Sequence, residues 1–240
     1  MNKALFYIIP IISCCYCTTV KAQVGEARNN LALGINAGVT MNTISFDPTI
    51  KQKSLTAPTF GLTFRYTCEK YFRTLCSVQL ELNYANLGWE ENVMNSANEP
   101  LPDTYRRNIS YLQLPLLARM SWGKEQKGLM FYIIAGPQIG YSIGENSKTS
   151  NTITTNPAGN PDRPNNVYQQ YTMDIKNKLD YGIQAGAGLE LNTAIGHFMV
   201  DGRYYYGLSD VFGNSKKDVF SRSANGTIMV KMTYLFDLKK

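Results

Sequence analysis

The sequence predicts an all-β fold, an eight-stranded antiparallel transmembrane up-and-down β-barrel. The prediction rests on strict side-chain alternation, on eight segments that show it, and on connections that alternate between short and long. The clearest segment is 181–191, which reads YGIQAGAGLEL. Because successive strand side chains point to opposite faces, its tyrosine, isoleucine, alanines and leucines share one face, opposite its glycines, glutamine and glutamate. Such a segment is typical of a barrel in lipid, which is apolar outside and polar within.

Eight segments follow this pattern. They span 30–41, 57–67, 75–88, 108–121, 129–143, 179–192, 197–208 and 225–237. The first three alternate almost without exception. The fourth is weaker: Gln113 and Arg119 fall on its inward face, and it contains Pro115. Because proline has no N–H to donate, a bulge or local distortion is expected at that position.

The connections between the segments differ in length from one to the next. Those after the second, fourth and sixth segments, 68–74, 122–128 and 193–196, are short, and the others are longer and polar. Short turns on one rim and long loops on the other are typical of outer-membrane barrels, with the turns in the periplasm. An even number of strands brings both ends of the chain to one rim. We therefore predict a bacterial outer-membrane protein with both termini in the periplasm.

Residues 1–22 have the features of a secretory signal peptide. Lys3 supplies the positive charge, residues 4–13 form the apolar stretch, and residues 20–22, Val-Lys-Ala, form the cleavage site. The apolar stretch is too short to span a bilayer as a helix. An alternative is lipidation at Cys14, since the preceding Ile-Ile-Ser resembles a lipobox. Residues 23–240 then form a single barrel domain.

The charge of the chain bears on its partners. The formal net charge of +6 falls to +4 when Lys3 and Lys21 leave with the signal peptide. The positive residues are scattered, so a nucleic-acid partner is not indicated. We expect contact with outer-membrane lipid and lipopolysaccharide, and we leave other envelope or secretion proteins open as partners.

Charged residues lie among the glycines on the less apolar face. They are Arg65, Glu81, Glu190, Asp201, Arg203 and Lys231. A soluble lipocalin-like barrel, the main alternative, would turn its apolar residues inward and these residues toward water. We predict instead that they form an ion-paired network in the lumen, because side chains fill the interior of an eight-stranded barrel. A wide aqueous pore is not expected. Paired acids for catalysis are the alternative role for Glu81, Glu190 and Asp201.

Two cysteines remain after removal of the signal peptide, Cys68 and Cys76. They flank a short turn, and exported proteins meet an oxidising compartment, so we predict a disulfide between them. Free thiols are the alternative. Zinc is disfavoured because two thiolates without a nearby histidine do not complete a tetrahedral site.

The sequence gives little support for catalysis. His197 is the only histidine, and it follows a short turn at the predicted periplasmic rim. Hydrolysis by a Ser-His pair needs both groups within hydrogen-bond reach, and outer-membrane hydrolases usually place them near the outer leaflet. Gly182, Gly186 and Gly188 lie within a strand, so they do not form a dinucleotide-binding turn. They are expected to make room for lumen side chains such as Tyr205 or to let the wall bend. We predict no enzymatic activity, metal site or cofactor.

Several short motifs together resemble a known family. They are LGINAG at 33–38, ELNY at 81–84 with Gly88 following, YLQLPLL at 111–117, AGPQIGY at 135–141, AGAGLE at 185–190 and RYYYGL at 203–208. Their order resembles the PorT-like outer-membrane β-barrel family of Bacteroidetes-type bacteria. The resemblance covers nearly all of the mature chain and implies an eight-stranded barrel, in a family whose members mostly have no assigned role.

The expected function follows from the barrel and this resemblance. We expect a non-enzymatic barrel with a side-chain-filled lumen that acts through its extracellular loops or through envelope partners. One type of family member serves type IX protein secretion, so a PorT-type subunit of that machinery is the first alternative. An outer-membrane hydrolase is the second.

Overall fold

A computed structural model describes residues 25–150, 153–214 and 218–239. These residues form β1 (Glu26–Asp47), β2 (Gln52–Lys53), β3 (Leu55–Tyr71), β4 (Thr74–Glu91), β5 (Tyr105–Gly123), β6 (Gly128–Thr149), β7 (Leu179–Asn192), β8 (His197–Asp210) and β9 (Arg222–Lys239). Two short 3₁₀ segments, Pro164–Asn166 and Gln169–Tyr171, lie in the longest loop. The predicted signal peptide, residues 1–22, and the alternative lipidation site at Cys14 lie outside the described residues. Over the described ranges, no helix is long and apolar enough to cross a membrane.

The eight long strands form one closed antiparallel ring. Each strand pairs with the next long strand along the chain, and β1 pairs with β9 to complete the ring. The two-residue strand β2 lies outside this series and pairs with the end of β4. The predicted all-β, antiparallel, up-and-down class is therefore confirmed, with β2 as an unpredicted addition.

The strands are mostly longer than the alternation predicts. β7 has the predicted bounds, and all eight predicted segments fall within strands. The first segment, predicted as 30–41, extends over 26–47, and the fifth, predicted as 129–143, extends over 128–149. The added residues carry polar side chains where the apolar outward residues should continue. The membrane-type pattern therefore ends before the strand does.

The outward face of the ring is apolar along its middle. In β7, Leu189 and Leu191 are about half exposed, whereas Gln184 and Glu190 are buried inside the ring. The other long strands repeat this arrangement. The soluble lipocalin-like alternative is therefore wrong, because it requires the large apolar side chains to point inward.

Toward the long loops the polarity of the wall reverses. At the end of β1, Ile44 and Phe46 are buried inside, while Ser45 and Asp47 are exposed outside. In β4, Leu87 and Trp89 also point inward and are fully buried. Residues 43–47 of β1 extend about 13 Å from the first Cα to the last, at roughly 3.3 Å per residue. The strands therefore continue beyond the apolar band as a small barrel with an apolar core.

Of the two outcomes expected at Pro115, the bulge is absent and a local distortion of the pairing is present. The β4–β5 register has the same offset on both sides of Pro115, from Asn83↔Gln113 to Leu80↔Leu116. The register shift in β5 lies between Ser110 and Tyr111, where it pairs with β6. The β4–β5 ladder therefore lacks its residue pairs at Pro115 and its neighbour Leu114, and no residue is inserted into either strand.

The predicted disulfide is not formed, since Cys68 and Cys76 both carry free thiols. The reason lies in the strand register. Ser77 pairs with Thr67, but Cys76 pairs with Glu69, so Cys68 is the extra residue of a β-bulge. The two cysteines therefore do not face each other across the β3–β4 hairpin.

The two rims of the ring differ in their connections. The turns at 72–73, 124–127 and 193–196 lie on one rim, and the connections 48–54, 92–104, 150–178 and 211–221 lie on the other. The start of β1 and the end of β9 lie on the short-turn rim, as the pairs Glu26↔Lys70 and Leu31↔Lys239 show. We call the two sides the turn rim and the loop rim.

The apolar band predicts how the protein responds to a charge on its exterior. Leu116 lies in the middle of the apolar outward residues of β5, which run from Leu112 to Met120, and is 49% exposed, and Leu238 is 55% exposed at the turn rim. Replacing Leu116 with arginine should lower the free energy of unfolding by about 2–4 kcal/mol, because the charge enters the hydrocarbon midplane. Leu238→Arg, the matched control, should cost about 0–1 kcal/mol. Urea titrations in lipid vesicles measure both values, and equal losses would contradict the assigned band.

Candidate functional site

The six predicted lumen charges are all buried inside the ring and belong to two clusters. In the first cluster, Glu81 accepts from Arg203 Nη1 at 2.9 Å and from Lys231 Nζ at 2.6 Å. Arg203 also donates from Nη2 to Asp201 Oδ2 at 3.0 Å and from Nε to the other oxygen of Asp201. These four residues come from β4, β8 and β9, so the cluster ties opposite sides of the wall together.

The second cluster lies closer to the turn rim and centres on Glu190. Its carboxylate accepts from Arg65 Nη1 at 2.8 Å and from Arg119 Nη2. Tyr132 connects the two clusters: the Arg119 guanidinium lies 3.7 Å from its ring centroid, and its hydroxyl donates to Asp201 at 2.8 Å. Side-chain alternation placed Arg119 on the inward face, but its role in the network was not predicted.

Neutral side chains complete the bonding of the buried charges. Glu81 also accepts from Gln79 Nε2 at 2.6 Å and from Asn83 Nδ2 at 3.0 Å. Farther toward the loop rim, Asp180 accepts from the Tyr205 hydroxyl at 2.7 Å and from Ser209 at 2.9 Å. Buried charges need both ionic partners and hydrogen bonds to offset the loss of water. Glu81 has both kinds of partner, whereas Asp180 is held by hydrogen bonds from neutral side chains.

The β7 glycines make room for this packing. A Cβ at Gly188 would lie 2.7 Å from Tyr132 Cζ and 2.6 Å from Asp201 Cβ. At Gly182 it would lie 2.8 Å from Tyr205 Cε2. The predicted role of these glycines beside bulky lumen residues is therefore confirmed at both positions.

His197 lies at the turn rim, in a cavity of about 520 Å³ that Arg28 and Glu125 also line. Its Nδ1 is 2.9 Å from Glu190 Oε1, and its Nε2 is 2.9 Å from Asp237 Oδ1. Nδ1 is also 2.6 Å from Asn192 Oδ1. These contacts extend the Glu190 cluster to the rim and place carboxylates and an amide around the imidazole.

An apolar cluster closes the lumen at the loop rim. The ring of Trp89 lies 5.2 Å from that of Phe46 and 6.0 Å from that of Phe212, and Phe220 lies 5.0 Å from Phe46. We call this cluster the aromatic cap. Composition favoured a polar interior throughout, and the cap was not predicted. The signal was nevertheless present, since Leu87 and Trp89 alternate with polar residues in the sense opposite to Leu80 and Leu82.

Buried polar residues hold the longest loop onto the aromatic cap. Glu91 accepts from Trp89 Nε1 at 3.2 Å, from Gln170 Nε2 at 3.2 Å and from the Tyr171 hydroxyl at 2.7 Å. Arg107 donates to the carbonyl of Gln170 at 3.1 Å and to that of Met173 at 2.6 Å. The loop segment 169–173 is thus bonded to both β4 and β5.

A second anchor joins this loop to the connection between β4 and β5. Arg163 donates to Asp103 Oδ2 at 2.9 Å and to the Tyr171 hydroxyl at 2.8 Å. Burial alone would raise the pKa of Asp103, but bonds from Thr154 and Arg163 hold that pKa below its ordinary value. These bonds tie the longest connection at the loop rim to the connection between β4 and β5.

A closed antiparallel ring with an apolar exterior and paired charges inside defines a transmembrane β-barrel. The chain belongs to the outer membrane protein beta-barrel domain family, which matches residues 21–213. The narrower resemblance to PorT-like barrels stays a prediction. No curated protein matches the chain.

Solved structures of bacterial outer-membrane proteins resemble the chain at low identity. Ail of Yersinia pestis, in complex with the heparin analogue sucrose octasulfate, is 14% identical, with 87% of this chain and 100% of that chain covered and a TM-score of 0.37. OprG of Pseudomonas aeruginosa is 11% identical, with 90% and 99% covered and a TM-score of 0.43. Neisserial surface protein A is 10% identical, with 86% and 97% covered and a TM-score of 0.42.

The Glu190 cluster predicts a large effect of removing one carboxylate. Glu190→Gln leaves Arg65 and Arg119 buried without their counter-ion, so we expect the free energy of unfolding to fall by about 3–5 kcal/mol. Glu26→Gln is the control, because Glu26 pairs with Arg28 while 62% exposed and should change stability by about 0–1 kcal/mol. Urea unfolding followed by tryptophan fluorescence measures both, and a loss below 1 kcal/mol for Glu190→Gln would rule out a stabilising network.

The Asp103 anchor predicts how the loop responds to acid. A pKa below the ordinary value of 3.8 means that the folded loop favours the carboxylate. The anchor therefore stabilises the loop above pH 3.8, and this stabilisation is lost as the pH falls through the lower pKa of the folded state. The amide resonance of Thr154 should titrate with a midpoint below 3.8 and should not do so in Asp103→Asn. A midpoint at or above 3.8 would count against the anchor.

Proposed function

We propose that the protein is a non-enzymatic outer-membrane barrel that seals its own lumen and acts through its ordered outer loops. The observation that carries this proposal is that two kinds of side-chain packing fill the lumen, one ionic and one aromatic. Ion pairs occupy the part enclosed by the apolar band, and the aromatic cap occupies the part beyond it. We infer that this packing blocks the passage of solutes through the lumen.

The proposal includes an orientation. The loop rim faces the outside of the cell and the turn rim faces the periplasm, with both termini on the periplasmic side. Long outer loops and short periplasmic turns are the general arrangement in this class of protein. The reversed polarity of the outer strand ends supports the orientation, since a wall that projects into water needs an apolar core.

The loop surface is the part of the molecule suited to binding. Glu91, Arg107 and Arg163 order the longest loop, so a partner meets a surface that is already arranged. Preorganisation of this kind lowers the entropic cost of association. Lipopolysaccharide, envelope proteins and secretion proteins all come within reach of this rim.

The contacts of His197 do not favour hydrolysis. Within the described residues, the imidazole contacts Asn192, Glu190 and Asp237, each through a side-chain oxygen. A nucleophile activated by this imidazole would have to be a hydroxyl or thiol within hydrogen-bond reach. The imidazole is instead engaged in the ion-paired network.

Planar-bilayer recordings test the sealed lumen. The wild-type protein should give no stable conductance steps, because ion pairs and the aromatic cap lie in series along the lumen. A sixteen-stranded porin, which has an open aqueous channel, serves as the conducting control. Heat-modifiable migration on gels verifies that both proteins are folded. Large, stable wild-type steps would show that the proposed sealed barrel is wrong.

A further inference from the structure

One edge of β6 lacks a neighbouring strand. β6 pairs with β7 as far as Tyr141↔Leu179, and the amide of Ser142 donates to the carbonyl of Lys178 at 2.8 Å. Beyond this point β7 is absent, while β6 continues to Thr149 with β5 alone as its partner. Residues 143–149 therefore project past the β6–β7 ladder as half of a β5–β6 hairpin.

The alternation of hydrogen bonding along β6 determines which of its backbone groups face the open edge. The amide of Ser150 donates to the carbonyl of Thr104 at 2.9 Å, which directs it toward the β5 side. In an antiparallel pair, alternate residues exchange the inter-strand bonds. Glu145, Ser147 and Thr149 therefore direct their N–H and C=O groups away from β5. Over the described ranges, no backbone bond joins these groups to another segment.

A groove lies along this edge. Residues 144–149 are exposed, and a cavity of about 190 Å³ separates residues 145–147 from residues 171–174 of the longest loop. The groove thus has a strand edge as one wall and an anchored loop as the other. It continues the line of the β6–β7 ladder beyond the point at which β7 begins.

The opposing loop is fixed on the far side of the groove, and Arg107 bridges it to the Glu145 carboxylate of the edge. The carbonyl of Met173 accepts from Arg107, and the amide of Asn177 donates to the carbonyl of Val211 at 3.2 Å. The side chains of Met173 and Ile175 pack against the aromatic cap. Moving this segment onto β6 would break these bonds and uncover the cap, so the chain's own loop does not supply the missing strand.

A second copy of the chain is also a poor fit. Copies in one membrane share the same orientation, so β6 of each copy runs in the same direction relative to the membrane. The ring is antiparallel throughout, and an extension of its β6–β7 ladder calls for a strand that runs the other way. Pairing between the β6 edges of two copies therefore does not complete this ladder.

We propose that an extended hydrophilic segment of a partner protein adds to residues 143–149 of β6 as an antiparallel strand. This inference rests on the proposed function, since it gives the outer loops a binding mode. Affinity comes from bonds to the backbone of Glu145, Ser147 and Thr149, as in other cases of strand addition. The segment is hydrophilic because it lies beside Asn146, Lys148 and the exposed loop wall.

Hydrogen exchange in lipid nanodiscs provides the first test. The amides of Gly144, Asn146 and Lys148 face β5 and should exchange slowly, whereas those of Glu145, Ser147 and Thr149 should exchange quickly. Slow exchange of both sets would show that another segment already covers the edge and would overturn the proposal. Dilution of the protein in lipid then identifies the covering segment. Slow exchange at the edge is lost on dilution if a second copy covers it, and is kept if the chain's own loop does.

Peptide binding provides the second test. The probe is the hydrophilic hexapeptide Thr-Ser-Thr-Ser-Thr-Ser, and its N-methylated form at alternate amides is the control. NMR titration should shift the amides of Glu145, Ser147 and Thr149, and the methylated peptide should not. Ser147→Pro removes one N–H on the open edge and leaves the β5 ladder intact, so it should weaken binding about tenfold. Ser147→Thr should bind as wild type.

The outcomes separate this inference from the proposed function. Absence of shifts at millimolar peptide, or equal binding by wild type and Ser147→Pro, would overturn strand addition. If strand addition fails but the bilayer recordings show a sealed wild-type barrel, the proposed function still holds. Stable conductance together with peptide binding at the edge would give the reverse result, in which the proposed function fails and strand addition holds.

Discussion

The structure depends on one constraint, the need to satisfy every backbone N–H and C=O group where the chain meets hydrocarbon. Lipid offers these groups no hydrogen-bond partner, so a sheet can cross a membrane only as a closed ring. Pairing of β1 with β9 closes this ring, and the antiparallel order places the start of β1 and the end of β9 on one rim. The apolar exterior and the two unequal rims follow from that closure.

Closure also determines what the interior must be. A ring of eight strands encloses a space that side chains just fill, and charges inside it have lost most of their water. Glu81 and Glu190 each engage two cations, and Tyr132 connects their clusters. Beyond the apolar band the outer wall meets water, so the interior becomes apolar and the aromatic cap forms. The same strands therefore have an apolar exterior and a charged interior within the band, and a polar exterior and an apolar interior beyond it.

The sequence predicts the part of the barrel within the apolar band better than the part beyond it. Alternation identifies all eight long strands and the inward position of the six predicted lumen charges, because it is a local property of each strand. The partners of those charges depend on register: Arg119 was placed inward but not in the network, and Cys68 falls at a bulge that a hairpin drawn from spacing does not show. The aromatic cap was missed because its pattern is that of a soluble barrel, and it begins within strands that start as membrane spans. Loop anchors such as Arg163–Asp103 join residues 60 positions apart and leave no local pattern.

The open edge of β6 follows from the same constraint that closes the ring. Inside the apolar band an unpaired strand edge would leave backbone groups without partners, whereas beyond the band water can satisfy them. The β6–β7 pairing ends at Ser142 and Lys178, near the level at which the wall becomes polar. An exposed edge also invites unwanted pairing, and proteins limit that risk with charged and weakly strand-forming residues. Residues 144–149, which read GENSKT, have this composition, and so the edge is kept open without a hydrophobic surface. Selectivity for an added segment must then come from backbone bonding and from the anchored loop opposite.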